Sequence, residues 1–205
     1  GLEDVVLALG HEAETHLEAV WAASRRLFGE RHREVAVPLN GLAKIALARG
    51  EAERAAERYG EAMGILAESL GADHRSVAVT STNRGRALAE AGRPAAAEEA
   101  FRRALRIHDP LGDHPEQART LELLGSLLCD SARLDEAEPL LLRARSVFRR
   151  LHGDSDTDRW RVAGVEIRLG ACLLAAGRSA EAELLLRRAH AEMLRRFGAD
   201  HRRTH

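Results

Sequence analysis

Ten histidines give this chain side chains that could bind a metal ion or transfer protons. Three of them, His74, His114 and His201, recur in step with a sequence repeat that is described below. Each lies at a different junction between predicted helices, where a polar side chain can cap the start of a helix. We therefore expect structural histidines, no metal site and no cofactor.

A second candidate metal site is the segment Asp154-Ser-Asp156-Thr-Asp158, which has the D-x-D-x-D start of a calcium loop. The sixth position of that loop holds Arg159 instead of glycine, and the twelfth holds Val165 instead of glutamate. The pattern therefore favours a solvated loop that caps a helix.

Nucleophilic and redox catalysis have little support in the sequence. The two cysteines, Cys129 and Cys172, lie in predicted helices without a CxxC or zinc spacing, so we expect two small, buried apolar side chains. The chain has no nucleophile elbow, P-loop or HExxH segment. We predict that it is not an enzyme, although a longer protein could carry a catalytic domain outside this segment.

The charge balance restricts the classes of partner. The net charge is −1, charged residues of both signs make up 31% of the chain, and no stretch reaches the roughly 18 apolar residues of a membrane helix. Nucleic acids and membranes are therefore not expected as partners, and we predict a cytoplasmic protein. Lys44 is the only lysine among 31 basic residues, a bias that, with the many alanines, indicates a bacterial gene.

The elements that position these residues follow from an internal repeat of about 42 residues. Small residues recur in four sets with a spacing of 12 and then 7 positions: Ala43-Ala55-Ala62, Gly85-Ala97-Ala104, Gly125-Ala137-Ala144 and Gly170-Ala182-Ala189. One large residue lies between the last two positions of each set: Tyr59, Phe101, Leu141 and Leu186. Small residues are needed where two helices approach to about 8–10 Å, so each repeat predicts a packed pair of helices.

The repeat also predicts the boundaries of these helix pairs. We expect a truncated leading repeat at 1–29, full repeats at 30–71, 72–112, 113–153 and 154–198, and the start of a missing next element at 199–205. Pro38 must either kink its helix or delay the start to about Ala36. Pro110 must end its helix early.

These anchors resemble the tetratricopeptide repeat, in particular the 42-residue type of kinesin light chains. The resemblance covers nearly the whole chain and implies an all-α fold, a right-handed superhelical solenoid of stacked antiparallel helix hairpins. Arg84 departs from the family pattern. The aromatic residue usual at the fourth position of the repeat is also absent, and its place is taken by Leu39, Ser81, Leu121 and Glu166.

By resemblance, the first helix of each repeat lines a concave groove with these residues: Asn40, Lys44, Thr82, Asn83, Arg86, Arg119, Glu122 and Ser126. Asn40 and Asn83 match asparagines that hold a peptide backbone in kinesin light chain repeats. Together with Lys44, Arg86 and Arg119 they resemble the carboxylate clamp of chaperone-binding repeats, which indicates a preference for acidic peptides. The alternative is an ordinary solvated face.

The function implied by the resemblance is a protein–protein interaction scaffold that binds a peptide or a partner protein in the groove. Trp160 either packs on the neighbouring hairpin or forms an exposed anchor for a partner. One alternative function is self-association, with terminal repeats stacking end to end. Another is the regulatory arm of a larger signalling enzyme with a kinase, nucleotide-binding or protease-like domain.

Overall fold

A computed structural model describes residues 2–152 and 159–198 of the chain, with side chains at 11–151 and 159–198. The described residues form nine α-helices and one 3₁₀ turn and contain no strand, which confirms the all-α fold class. The helices are α1 (Leu2–Phe28), α2 (Arg33–Ala48), α3 (Ala52–Leu70), α4 (Arg75–Glu90), α5 (Pro94–His108), α6 (Pro115–Asp130), α7 (Leu134–His152), α8 (Arg159–Ala175) and α9 (Ser179–Phe197); the 3₁₀ turn is Asp109–Leu111. None of these helices is both long enough and apolar enough to cross a membrane.

The chain divides into two compact units, an N-terminal unit that ends at Ile107 and a C-terminal unit that begins at His108. In the N-terminal unit, α1 packs on α2, α2 on α3 and α3 on α4. In the C-terminal unit, α6 packs on α7, α7 on α8 and α8 on α9. The first helices of the two repeats in this unit, α6 and α8, also touch directly.

The predicted small residues lie at the centre of the hairpins. All nine alanines of the repeat pattern have an exposed fraction of 0%: Ala43, Ala55, Ala62, Ala97, Ala104, Ala137, Ala144, Ala182 and Ala189. Their shared burial confirms that these positions are equivalent from repeat to repeat. Because an alanine side chain ends at Cβ, two helices can approach closely at each of these points.

Glycine occupies the point where three of the first helices approach the large residue of the second helix. A Cβ atom added there would lie 2.7 Å from the facing side chain in each pair: Gly85–Phe101, Gly125–Leu141 and Gly170–Leu186. That separation is shorter than any ordinary contact between carbon atoms. The pairing of a glycine with a bulky residue therefore sets how closely the two helices of a hairpin pack.

Histidines begin three of the first helices; His74 and His114 are predicted from the sequence, and His32 is a further cap that the sequence analysis did not name. The imidazole Nδ1 of each accepts a backbone N–H bond from the residue two positions later: His32 from Glu34 at 3.3 Å, His74 from Ser76 at 3.1 Å, and His114 from Glu116 at 3.1 Å. These bonds satisfy N–H groups that have no partner inside the helix. In the described part of the chain, no three His, Cys, Asp or Glu side chains are grouped to hold a metal ion. His201 and the 154–158 segment lie outside it.

The two prolines have different effects. Of the two alternatives for Pro38, the delayed start at Ala36 does not occur, because α2 begins at Arg33, where His32 caps it, and Pro38 lies inside the helix. Pro110 does end its helix early: α5 has 15 residues and passes into the 3₁₀ turn, whereas α3, α7 and α9 each have 19. The leading segment is one continuous helix of 27 residues, α1.

One carboxylate is buried in the C-terminal unit. Glu166 on α8 is 1% exposed, at the repeat position that Leu39 and Leu121 occupy in other hairpins. Its Oε1 atom accepts a hydrogen bond from Arg149 Nη2 at 2.9 Å and lies 4.0 Å from Arg145 Nη1. Helix α7 therefore supplies the countercharge that makes a carboxylate tolerable in this position.

Candidate functional site

Three of the predicted site residues line one cavity in the C-terminal unit, between α6 and α8. This cavity, which we call the α6–α8 cavity, has a volume of about 670 Å³. Arg119, Glu122 and Trp160 are the predicted residues that line it. The other lining residues are Pro115, Glu116, Phe148, Arg161, Gly164, Ile167, Arg168 and Met193. Ser126 is half-buried further along α6 and does not belong to the lining.

Aromatic and aliphatic side chains form the apolar part of the α6–α8 cavity. Phe148 and Met193 are 4% and 5% exposed, so they are held in place by the packing of α7 and α9. Trp160 is half-buried and meets Phe197 edge-to-face, with 5.8 Å between ring centroids. Trp160 therefore packs on its own hairpin while part of its surface borders the cavity.

Charged groups form the rest of the lining. Arg119 Nη1 lies 4.0 Å from Glu116 Oε2, and the guanidinium of Arg161 lies 4.7 Å from the ring centroid of Trp160. Burial raises the pKa of the Glu122 carboxyl above its ordinary value, while the charges of Arg168 and Arg119 oppose that rise. Because burial has the larger effect, the Glu122 carboxyl keeps its proton to a higher pH than an exposed glutamate does.

The raised pKa of Glu122 predicts a pH-dependent cost in stability. Stability linked to this group is fully present below the ordinary pKa of glutamate and is lost as pH rises through the raised native pKa, because the native state binds the proton more tightly. Glu122→Gln should therefore be more stable than the wild type at neutral pH, and the difference should shrink on acidification. Urea unfolding of both proteins across this pH range measures the effect. A constant difference, or a less stable variant at neutral pH, would contradict it.

The predicted groove residues of the N-terminal unit have varied surroundings. Lys44 is exposed, whereas Asn40 and Asn83 are half-buried. The Asn40 Oδ1 atom is buried and has no hydrogen-bond partner among the described residues. Arg86 Nε lies 3.4 Å from Glu90 Oε1, so part of its charge is balanced within α4.

The expectation that Thr82 faces the groove is wrong. Its exposed fraction is 1%, and its hydroxyl donates a hydrogen bond to the Ala78 carbonyl at 3.0 Å. A threonine that bonds to its own helix in this way satisfies its polar group and can be buried. Thr82 therefore belongs to the core of the N-terminal unit.

The sequence pattern did not identify Phe148 and Met193 as cavity residues. Both lie on second helices, whereas the resemblance placed the groove on first helices alone. A signal for them exists, because each follows a small core residue, Ala144 or Ala189, by four positions. One helical turn places the two side chains on the same face, so an apolar residue at this spacing continues the packed surface.

Comparison with known proteins agrees with this architecture. The family model described as tetratricopeptide repeat matches residues 59–109 and 116–191. Among solved structures, BtubC (BKLC) from P. vanneervenii is similar with a TM-score of 0.82 and 23% identity, covering 94% of this chain and 76% of that one. Kinesin light chain TPR-like repeats of Podosopora anserina are similar in two structures, with TM-scores of 0.76 and 0.74 and 21% identity; they cover 91% and 93% of this chain and 87% and 90% of theirs.

At 21–23% sequence identity, the structural similarity shows a shared fold. Comparison with curated proteins finds no match. The family match covers more than half of the chain, and its two segments include the small residues that pack α4 on α5, α6 on α7 and α8 on α9. The chain therefore belongs to the tetratricopeptide repeat family.

Proposed function

We propose that this chain is a protein-interaction scaffold that binds an acidic peptide segment of a partner in the α6–α8 cavity. Membership of the tetratricopeptide repeat family supports protein binding in general, and the fold is typical of non-enzymatic scaffolds. The observation that carries the finer proposal is the cavity itself, in which apolar side chains lie beside three arginines.

The lining matches a peptide better than a small polar solute. Trp160 and Ile167 are half-buried and offer apolar surface that a partner side chain can cover, and a volume of about 670 Å³ accommodates several residues of an extended segment. Peptide carbonyls and carboxylates can accept hydrogen bonds from guanidinium groups on the rim. An extended segment of a partner protein therefore satisfies both parts of the lining.

Charge complementarity favours an acidic segment. Three cations, Arg119, Arg161 and Arg168, line the cavity against two carboxyl groups, Glu116 and Glu122. Burial raises the pKa of the Glu122 carboxyl, so this group takes up a proton more readily than an exposed glutamate does as the pH falls. Such an arrangement steers acidic partners towards the site and rejects basic ones.

The test is peptide selection followed by a matched pair of charge reversals. Peptides selected from a random display library on the immobilised protein should be enriched in Asp and Glu. Arg168→Glu should then weaken binding of a selected peptide at least ~10-fold, because it places a like charge beside the ligand. Fluorescence anisotropy with a labelled peptide measures the dissociation constant, and raising the ionic strength should also weaken binding.

The matched control is Arg187→Glu, which makes the same change of charge on α9. Arg187 is exposed, pairs with Glu183 and does not line the α6–α8 cavity. This variant should bind within roughly 2-fold of the wild type, since a solvent-screened charge outside the site contributes little. Equal losses in both variants, or selected peptides without acidic enrichment, would count against the proposal.

A further inference from the structure

A second cavity in the C-terminal unit lies where α7, α8 and α9 meet. This cavity, which we call the α7–α9 cavity, has a volume of about 550 Å³. Its lining is formed by three arginines, two glutamates and two apolar residues: Arg149, Arg159, Arg188, Glu166, Glu192, Val162 and Ala163. The residues that α8 contributes lie on the opposite face of that helix from those that line the α6–α8 cavity. The two cavities share no lining residue, so the α7–α9 cavity is a separate candidate site.

Both carboxylates of the α7–α9 cavity already have arginine partners. Glu166 accepts the hydrogen bond from Arg149 Nη2 at 2.9 Å, and its Oε1 atom lies 4.0 Å from Arg145 Nη1. Glu192 pairs with Arg195, three positions later on α9. Since Arg145 and Arg195 do not belong to the lining, these pairs do not use up the positive charge of the three arginines that do.

Arg188 and Arg149 have N–H groups to offer a ligand in this cavity. The Arg188 side chain is exposed and forms no ion pair or hydrogen bond within the described residues, whereas its neighbour Arg187 pairs with Glu183 at 2.6 Å. Arg149 spends one N–H group on Glu166, and a guanidinium has five. Because that bond also holds Arg149 in place, its remaining donors are oriented before a ligand arrives.

We propose that the α7–α9 cavity binds the phosphate group of a phosphorylated ligand. Guanidinium groups bind phosphate through paired hydrogen bonds, and a phosphate monoester offers three acceptor oxygens and nearly two negative charges at neutral pH. Arg149, Arg159 and Arg188 come from three successive helices, so they approach the cavity from different sides. A carboxylate has one charge and two oxygens, and it therefore matches three arginines less well than a phosphate does.

The size of the α7–α9 cavity indicates a ligand larger than a bare phosphate ion. Small-molecule sites in proteins typically have volumes of about 300–1,000 Å³, and the volume of about 550 Å³ lies within this range. The group that carries the phosphate can therefore lie beside Val162, which is half-buried. A small organic phosphate and the phosphorylated serine of a partner protein both have this chemistry, and the experiment below separates them.

Titration of the full chain with O-phosphoserine, followed by proton–nitrogen correlation spectra, tests the proposal. The amide signals of Val162 and Ala163 should shift until they saturate, and acetate at the same ionic strength should leave them in place. Arg188→Ala should weaken phosphoserine binding at least ~10-fold, because it removes charge-assisted hydrogen bonds. A glycine-flanked phosphoserine peptide then identifies the source of the phosphate. Tighter binding than free phosphoserine indicates a phosphorylated partner, and equal or weaker binding indicates a small organic phosphate.

Arg187→Ala is the matched control, because this arginine is also exposed on α9 but does not line the α7–α9 cavity. It should bind phosphoserine within roughly 2-fold of the wild type. The absence of shifts, equal shifts with acetate, or equal losses in the two variants would overturn the proposal. Shifts at Gly164 and Ile167 instead would also overturn it, because they would place phosphoserine in the α6–α8 cavity. Neither variant changes that cavity, so the result is independent of the proposed function.

Discussion

Replacing Gly85 by leucine is expected to lower the free energy of unfolding by about 3 kcal/mol or more. A Cβ atom at this position would lie 2.7 Å from the ring of Phe101, and that ring is itself only 1% exposed. Neither the ring nor the α4–α5 pair can move aside without opening the hairpin core. Urea unfolding followed by circular dichroism measures the loss.

Gly64→Leu is the matched control for this prediction. Gly64 also lies inside a helix, α3, but it is exposed and an added Cβ would meet nothing within 4 Å. Leucine is a better helix former than glycine by roughly 0.8 kcal/mol, so this variant should be as stable as the wild type or more so. Similar losses at both positions would show that close packing against Phe101 is not what requires glycine at position 85.

The buried ion pair of the C-terminal unit should respond asymmetrically to the loss of each partner. Arg149→Ala is expected to cost about 3 kcal/mol, because it leaves the Glu166 carboxylate buried with Arg145 alone at 4.0 Å. Glu166→Leu should change stability by less than about 1 kcal/mol, or increase it. Arg149 loses its carboxylate partner in this variant, but its side chain is 43% exposed and can turn to solvent.

The double variant Arg149→Ala/Glu166→Leu completes this test. It should be nearly as stable as Glu166→Leu alone, because the arginine has no buried charge left to balance. Urea unfolding at neutral pH compares the four proteins. Additive losses, or a Glu166→Leu variant that loses as much as Arg149→Ala, would mean that the pair is a net source of stability rather than a tolerated charge.

The framework of the fold could be predicted from the sequence because it depends on side-chain size at fixed spacing. Ala55, Ala97, Ala137 and Ala182 had to be small for helices to pair, and no other property of the neighbours was needed to predict their burial. The early end of α5 followed from Pro110, since proline cannot continue the hydrogen-bond pattern. These are local rules, and they hold in each repeat.

The candidate site was predictable only in part because it depends on contacts between repeats. Arg119 and Glu122 were expected by resemblance, but Phe148 and Met193 reach the cavity from helices that the resemblance did not implicate. Thr82 was misplaced because a hydrogen bond to its own helix backbone helps a polar side chain to enter the core.

The glycine and alanine positions that set the spacing of the helices do not line the α6–α8 cavity. Gly125, for example, faces Leu141 inside its hairpin, while Arg119 and Glu122 on the same helix border the cavity. The packing of the hairpin and the lining of the proposed binding cavity thus depend on different residues of one helix. Substitutions in the cavity lining should therefore leave the contacts that hold the two helices of a hairpin together undisturbed.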